Sequence, residues 1–145
     1  MRGLIAAVLI LGLTLCSCES YLINGDLDGL WQVQTVEHLE TGDVTECNNQ
    51  YFYAFQRHIV QLTKHVSYGM GGLESQYHAG FDWRQDSIGM GDFRVYDLYG
   101  CKKKAPVSEL KKFGLYQDYT EFHMQLSRQK LILTSDSARI VLRKY

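Results

Sequence analysis

Tyr119–Lys144 reads YTEFHMQLSRQKLILTSDSARIVLRK, and this closing stretch decides the fold. Apolar residues recur at every second position. Phe122, Met124 and Leu126 share one face, as do Leu131 with Leu133 and Ile140 with Leu142. That period marks half-buried strands, over Tyr119–Leu126, Lys130–Thr134 and Ala138–Lys144. The separators Ser127–Gln129 and Ser135–Ser137 are too short for anything but antiparallel neighbours. Earlier segments repeat the pattern. Gln76–Arg84 puts Tyr77, Ala79, Phe81 and Trp83 on one face, and Asp92–Leu98 continues after a turn over Gln85–Gly91. Tyr51–Phe55 and Ile59–Lys64 form a hairpin across Gln56–His58. Gly29–Leu39 alternates from Trp31 through Val33 and Thr35. The expected fold is all-β, an eight-stranded antiparallel up-and-down barrel, whose closure removes exposed edges. Tyr99–Asp118 is the longest connection. Val107–Phe113, placed between Pro106 and Gly114, is expected to form a short helix before the sixth strand.

Loop lengths give the barrel a polarity. The first, third and fifth connections (Thr41–Gln50, Val66–Ser75 and Tyr99–Asp118) are long and fall on one rim. The second, Gln56–His58, is tight, as are the sixth and seventh, and the fourth is intermediate. Ordered proteins keep long loops chiefly where they bind or regulate something. The chain enters its first strand at the opposite rim, so the decorated mouth is expected to point away from whatever holds the N-terminus.

The N-terminus supplies an address. Met1-Arg2 is a short basic start, and Gly3–Leu15 is an uncharged apolar run. This run covers about 20 Å as a helix, short of the roughly 30 Å hydrocarbon core, so it reads as a signal peptide and not a span. Leu15-Cys16-Ser17-Cys18 resembles the bacterial lipobox. The resemblance implies cleavage before Cys18 and acylation of its thiol and amine, anchoring the mature chain in the bacterial cell envelope without a transmembrane helix. An ordinary secretory cleavage nearby is the alternative. Residues 1–17 are then the signal peptide, 18–27 a polar lipidated tether and 28–145 one barrel domain.

Charge and motif content exclude several functions. Lys+Arg number 15 against 16 Asp+Glu, a net charge of −1, and Lys102-Lys103-Lys104 is a short solvated run, so no nucleic-acid partner is expected. The five histidines form no metal-ligand spacing, and no nucleophile elbow, P-loop or dinucleotide fingerprint occurs. No enzyme, metal or cofactor is expected. Glu37 and Asp82 could face inward as a carboxylate pair, but nothing in the sequence aims them at one point. Cys47 and Cys101 lie in the first and fifth loops of one rim. In an exported protein they invite a disulfide worth about 4 kcal/mol in the chain-entropy model, with free thiols as the alternative.

Gly29-Leu30-Trp31 resembles the G-x-W signature of the lipocalins and related calycins, and Phe122–Lys144 resembles lipocalin-like lipoproteins of Gram-negative gut bacteria. The resemblance spans the mature domain in strand order, but no T-D-Y-type second motif precedes the sixth strand. It implies that Trp31 closes the narrow end of the barrel under an arginine from near the last strand, Arg143 first and Arg139 second. The expected ligand site is the interior, lined by Val33, Phe55, Phe81, Trp83, Phe122 and Met124 and suited to a small apolar or aromatic molecule. The alternative is a filled barrel whose loops contact an envelope protein or a host macromolecule.

Overall fold

A computed structural model describes residues 22–66, 72–97 and 100–145, with backbone alone at 66 and 72–75. Cys18 and the whole signal segment lie outside the described residues, as do the loop positions 67–71. Nine strands form: β1 Gly29–His38, β2 Asp43–Glu46, β3 Tyr51–Gln56, β4 Ile59–Val66, β5 Gly72–Arg84, β6 Ser87–Val95, β7 Tyr119–Leu126, β8 Lys130–Thr134 and β9 Ala138–Lys144. Neighbours pair antiparallel around the sheet, and β1 pairs with β9 from Trp31↔Lys144 to His38↔Ala138. Eight strands thus close the expected up-and-down barrel. The helix α1, Val107–Leu110, runs into a 3-10 turn at Lys111–Phe113, before the sixth strand of the closed barrel, β7.

The added strand is β2. It pairs with the upper half of β1 while β3 pairs with the lower half, so β2 and β3 together make one wall strand. Asn48 and Asn49, at φ 45° and 59°, interrupt it, a left-handed conformation that asparagine tolerates. All four β2 side chains are exposed, so no apolar alternation marks this strand in the sequence.

Two other boundaries move for identifiable reasons. The fourth connection is the tight pair Gln85-Asp86, and β6 begins at Ser87. Gly89 and Gly91, which the sequence places in a turn, lie within that strand. A Cβ on Gly89 would stand 2.1 Å from the Tyr119 hydroxyl, and one on Gly91 would stand 2.6 Å from the Asp118 carbonyl oxygen. The glycines therefore make room for β7 instead of bending the chain. The third connection narrows to 67–71, because β4 and β5 both extend past their expected ends.

Base and rim separate cleanly. The base carries the chain's approach to β1 and the short connections 57–58, 85–86 and 127–129. The rim carries, among the described residues, the β1–β3 segment, residues 96–97 and 100–118 of the long connection and the turn 135–137. Among the described residues the first and fifth connections fall on one rim, as expected from the sequence, with β2 forming inside the first.

Candidate functional site

The base is closed by a buried polar knot. Asn24 and Asp28 are 3% and 7% exposed, and the Asn24 side-chain amide donates to Asp28 Oδ1 at 2.6 Å and to the Arg57 carbonyl at 2.8 Å. The backbone N–H of Asn24 donates to Asp28 Oδ2 at 3.0 Å. The tether expected through Leu27 is therefore docked from Asn24 onward, with Leu27 fully buried. Trp31 lies fully buried above this knot and donates its indole N–H to the Leu27 carbonyl at 2.8 Å.

The cation over Trp31 is Lys144, not Arg143 or Arg139. Its Nζ sits 4.4 Å from the indole centroid and donates to the Asp26 carbonyl at 2.8 Å and to the Asp28 carbonyl. Burial outweighs the nearby carboxylates and lowers the Lys144 ammonium below its ordinary range. The register explains the choice. Paired residues of antiparallel strands share a face, and Lys144 is opposite Trp31 while Arg143 is opposite Gln32. Arg143 accordingly points outward and donates to Gln32 Oε1 at 2.8 Å.

Five of the six proposed lining residues do share the interior. Val33 and Phe122 are 0% exposed, Phe55 1%, Met124 4% and Phe81 6%, all within one apolar cluster. Trp83 is the exception at 36%. It keeps the inward phase, opposite buried Ile88, but near the end of β5 its ring reaches the base, where Nε1 donates to Asn24 Oδ1 at 3.0 Å. It belongs to the knot and lines no ligand pocket. Glu37 lies opposite Arg139, and Asp82 is exposed. They form no inward carboxylate pair.

The interior is packed, not hollow, around these side chains. A void large enough for a ligand, wet or dry, leaves free surface on the side chains around it, yet Val33, Tyr53, Leu62, Ile88, Phe122, Leu133 and Ile140 have none. The long connection fills the upper end. Phe113 is 1% exposed and meets Tyr51, Tyr53 and Tyr77 edge-on, with centroids 5.2, 6.3 and 6.2 Å away. Tyr53, fully buried, donates its hydroxyl to the Phe113 carbonyl at 2.7 Å, and burial pushes its phenol far above its ordinary range. Gly114 seats this plug. Its φ is 88°, and a Cβ there would stand 2.7 Å from Ile140 Cδ1, so only glycine fits both the left-handed turn and the close approach.

No disulfide ties the rim. Cys47 and Cys101 are both free. Cys47 is 3% exposed inside the mouth, and burial together with the Glu46 charge pushes its thiol up to about 11. Cys101 stands against His78 instead, with Sγ 3.3 Å from Nε2. Among the described residues no three histidine, cysteine or carboxylate side chains gather to hold a metal.

The rim has a cleft of about 260 Å³ between the 116–121 approach to β7 and the turn at 135–137. It exists because β8 is shorter than β7: the ladder ends at His123↔Thr134, leaving upper β7 without a partner on that side. Thr120 lines the cleft at 9% exposure, and its Oγ1 is buried with no hydrogen-bond partner. Leaving such a group unpaired costs about 1–3 kcal/mol. No sequence pattern announces this cleft, since it arises from a mismatch of strand lengths.

A closed antiparallel barrel with a G-x-W tryptophan sealing one end and loops crowning the other defines a calycin-type barrel. The family model of the lipocalin-like domain matches residues 13–145, and the chain belongs to that family. Two solved structures share the fold at 20% identity. A lipocalin-like protein from Bacteroides uniformis ATCC 8492 matches with a TM-score of 0.61 over 83% of this chain and 100% of that one. An uncharacterized protein from Bacteroides eggerthii DSM 20697 matches with a TM-score of 0.60 over 82% and 99%. Both sources are compatible with the gut-bacterial resemblance. No curated protein matches the chain.

Proposed function

We propose that this chain is an envelope-anchored, non-catalytic binding protein that uses a filled lipocalin-like barrel as scaffold and recognises its partner at the loop-bearing rim. The lipobox resemblance at Cys18 supports the anchor. The base docks the chain from Asn24 onward, only a few residues beyond Cys18, which directs the rim away from the membrane. The observation that carries the reading is the solid interior: Val33 and Phe122 expose nothing, and Phe113 plugs the mouth above them. A partner then meets the rim surface, and another envelope protein or a host macromolecule fits that geometry.

The competing reading keeps a small apolar ligand inside the barrel, in line with the ligand-binding type of fold. It requires α1 and Phe113 to withdraw. Native mass spectrometry of gently purified protein, followed by titration with a fluorescent fatty-acid analogue, separates the two. The filled scaffold predicts an unliganded mass and no saturable uptake, with uptake emerging only when Phe113→Ala removes the plugging ring. A stoichiometric apolar ligand in the wild-type barrel overturns the rim reading.

A further inference from the structure

The rim cleft combines an unpaired strand edge with an orphan hydroxyl. Both phases of β7 line it: Thr120 from the inward phase shared with Phe122 and Met124, and Tyr119 and Glu121 from the outward phase. The cleft therefore cuts into the wall instead of lying on it. Backbone direction adds polar groups. Met124 N–H donates to the Asp86 carbonyl, and the Asp118 carbonyl accepts from Asp92 N–H, so even-numbered positions of β7 face β6. By the alternation of antiparallel ladders, Tyr119 and Glu121 turn their N–H and C=O groups toward the cleft.

The other wall is a turn closed by side-chain hydrogen bonds. Ser135 Oγ accepts from Ala138 N–H at 3.1 Å and from Ser137 N–H at 3.3 Å, capping the turn. Asp136 in that turn and Glu121 on β7 both line the cleft, and they are the only charged side chains among its described lining residues. Lys111 stands outside it, 6.0 Å above the Tyr116 ring. Such a lining repels anions, and an apolar ligand would leave its polar groups unpaired. Carboxylate and carbonyl acceptors, hydroxyl and amide donors and two tyrosine rings match a compact neutral ring bearing several hydroxyls and a C–H face. The volume, below the roughly 300–1,000 Å³ of drug-sized sites, limits the ligand to about one such ring.

We propose that this cleft binds a neutral sugar residue, with Thr120, Glu121 and Asp136 hydrogen-bonding its hydroxyls and a tyrosine ring covering its apolar face. The inference deepens the rim reading and rests on it. The test is an amide-resolved NMR titration of the mature protein with methyl β-glucoside, methyl β-galactoside and N-acetylglucosamine, with glucuronate and putrescine as anionic and cationic controls. At least one neutral sugar should shift the amides of 119–121 and 135–137 and saturate with a millimolar dissociation constant, while both controls leave them unmoved.

Thr120→Val should weaken that binding roughly threefold to tenfold, the loss of one hydrogen bond. Thr120→Ser should retain it, which separates loss of the hydroxyl from damage to the fold. Silence from all three sugars overturns the proposal, as does equal response to glucuronate or putrescine. So does equal binding by Thr120→Val. None of these outcomes touches the fatty-acid titration, so the cleft can fail while the filled-scaffold reading stands.

Discussion

At the base, two- and three-residue turns meet a buried knot in which Asn24, Asp28, Arg57 and Trp83 satisfy one another beneath Trp31. At the rim, the long connection folds inward to plug the mouth with Phe113, β2 exposes every side chain, and upper β7 lacks a partner on one side. The two ends carry similar residue types and use them oppositely. At the base, polar side chains are buried and mutually paired, so each one is structural. At the rim those of β2 face solvent, the Tyr53 hydroxyl pairs inside the mouth, and the buried Thr120 hydroxyl stays unpaired. On the proposed reading the base is structural and the rim carries recognition.

Substitutions that respect this division test it. Trp31→Ala removes the largest fully buried side chain at the base and should cost about 3–5 kcal/mol, read as a lowered urea midpoint; a cost under 1 kcal/mol would break the comparison. Asn24→Ala leaves Asp28 Oδ1, the Arg57 carbonyl and the Trp83 N–H without their partner, while the backbone N–H still reaches Asp28 Oδ2. It should cost about 1–3 kcal/mol by the same measurement, far above the value for a residue in a free tether. Lys144→Ala removes a cation from the Trp31 face and should lose about 0.5–2 kcal/mol. Arg143→Ala should stay within about 0.5 kcal/mol, as outward substitutions do. Equal effects from the two would show that the register at β9 is misassigned.

The rim contributes a pH signature in place of a large loss. The Cys47 thiol titrates near 11 in the folded protein against an ordinary value of 9.0. A raised thiol stabilises the fold fully below pH 9.0, and this contribution is lost as pH rises through about 11. Cys47→Ala should therefore flatten the decline in unfolding free energy over that window, relative to its own value at neutral pH. An unchanged slope contradicts the buried placement of Cys47.

What could be read from the chain followed the strength of alternation. β7, β8 and β9 begin and end where their apolar period does, because one face of each is buried and the other wet. β2 was invisible since nothing in Asp43–Glu46 is buried. Gly89 and Gly91 misled because glycine signals both a turn and a close approach, and only tertiary contact with Tyr119 distinguishes the two. The base cation was missed by one residue: Arg143 and Lys144 are adjacent, and register alone decides which faces Trp31. Asn24 read as part of the polar tether and Asp28 as the first residue of the barrel, although their four-residue spacing just before Gly29-Leu30-Trp31 carries a faint signal of a local cap. For the interior, composition identified the right side chains but not whether they leave space. Volume complementarity depends on Phe113, which reaches the mouth from a distant connection.

Xenon pressurisation of a crystal tests the central claim most directly, because dry apolar voids of ligand size take up the gas. A solid barrel predicts no xenon among Val33, Phe55, Phe81, Phe122 and Met124. Ordered xenon within that cluster would contradict the filled scaffold and return the binding site to the barrel interior.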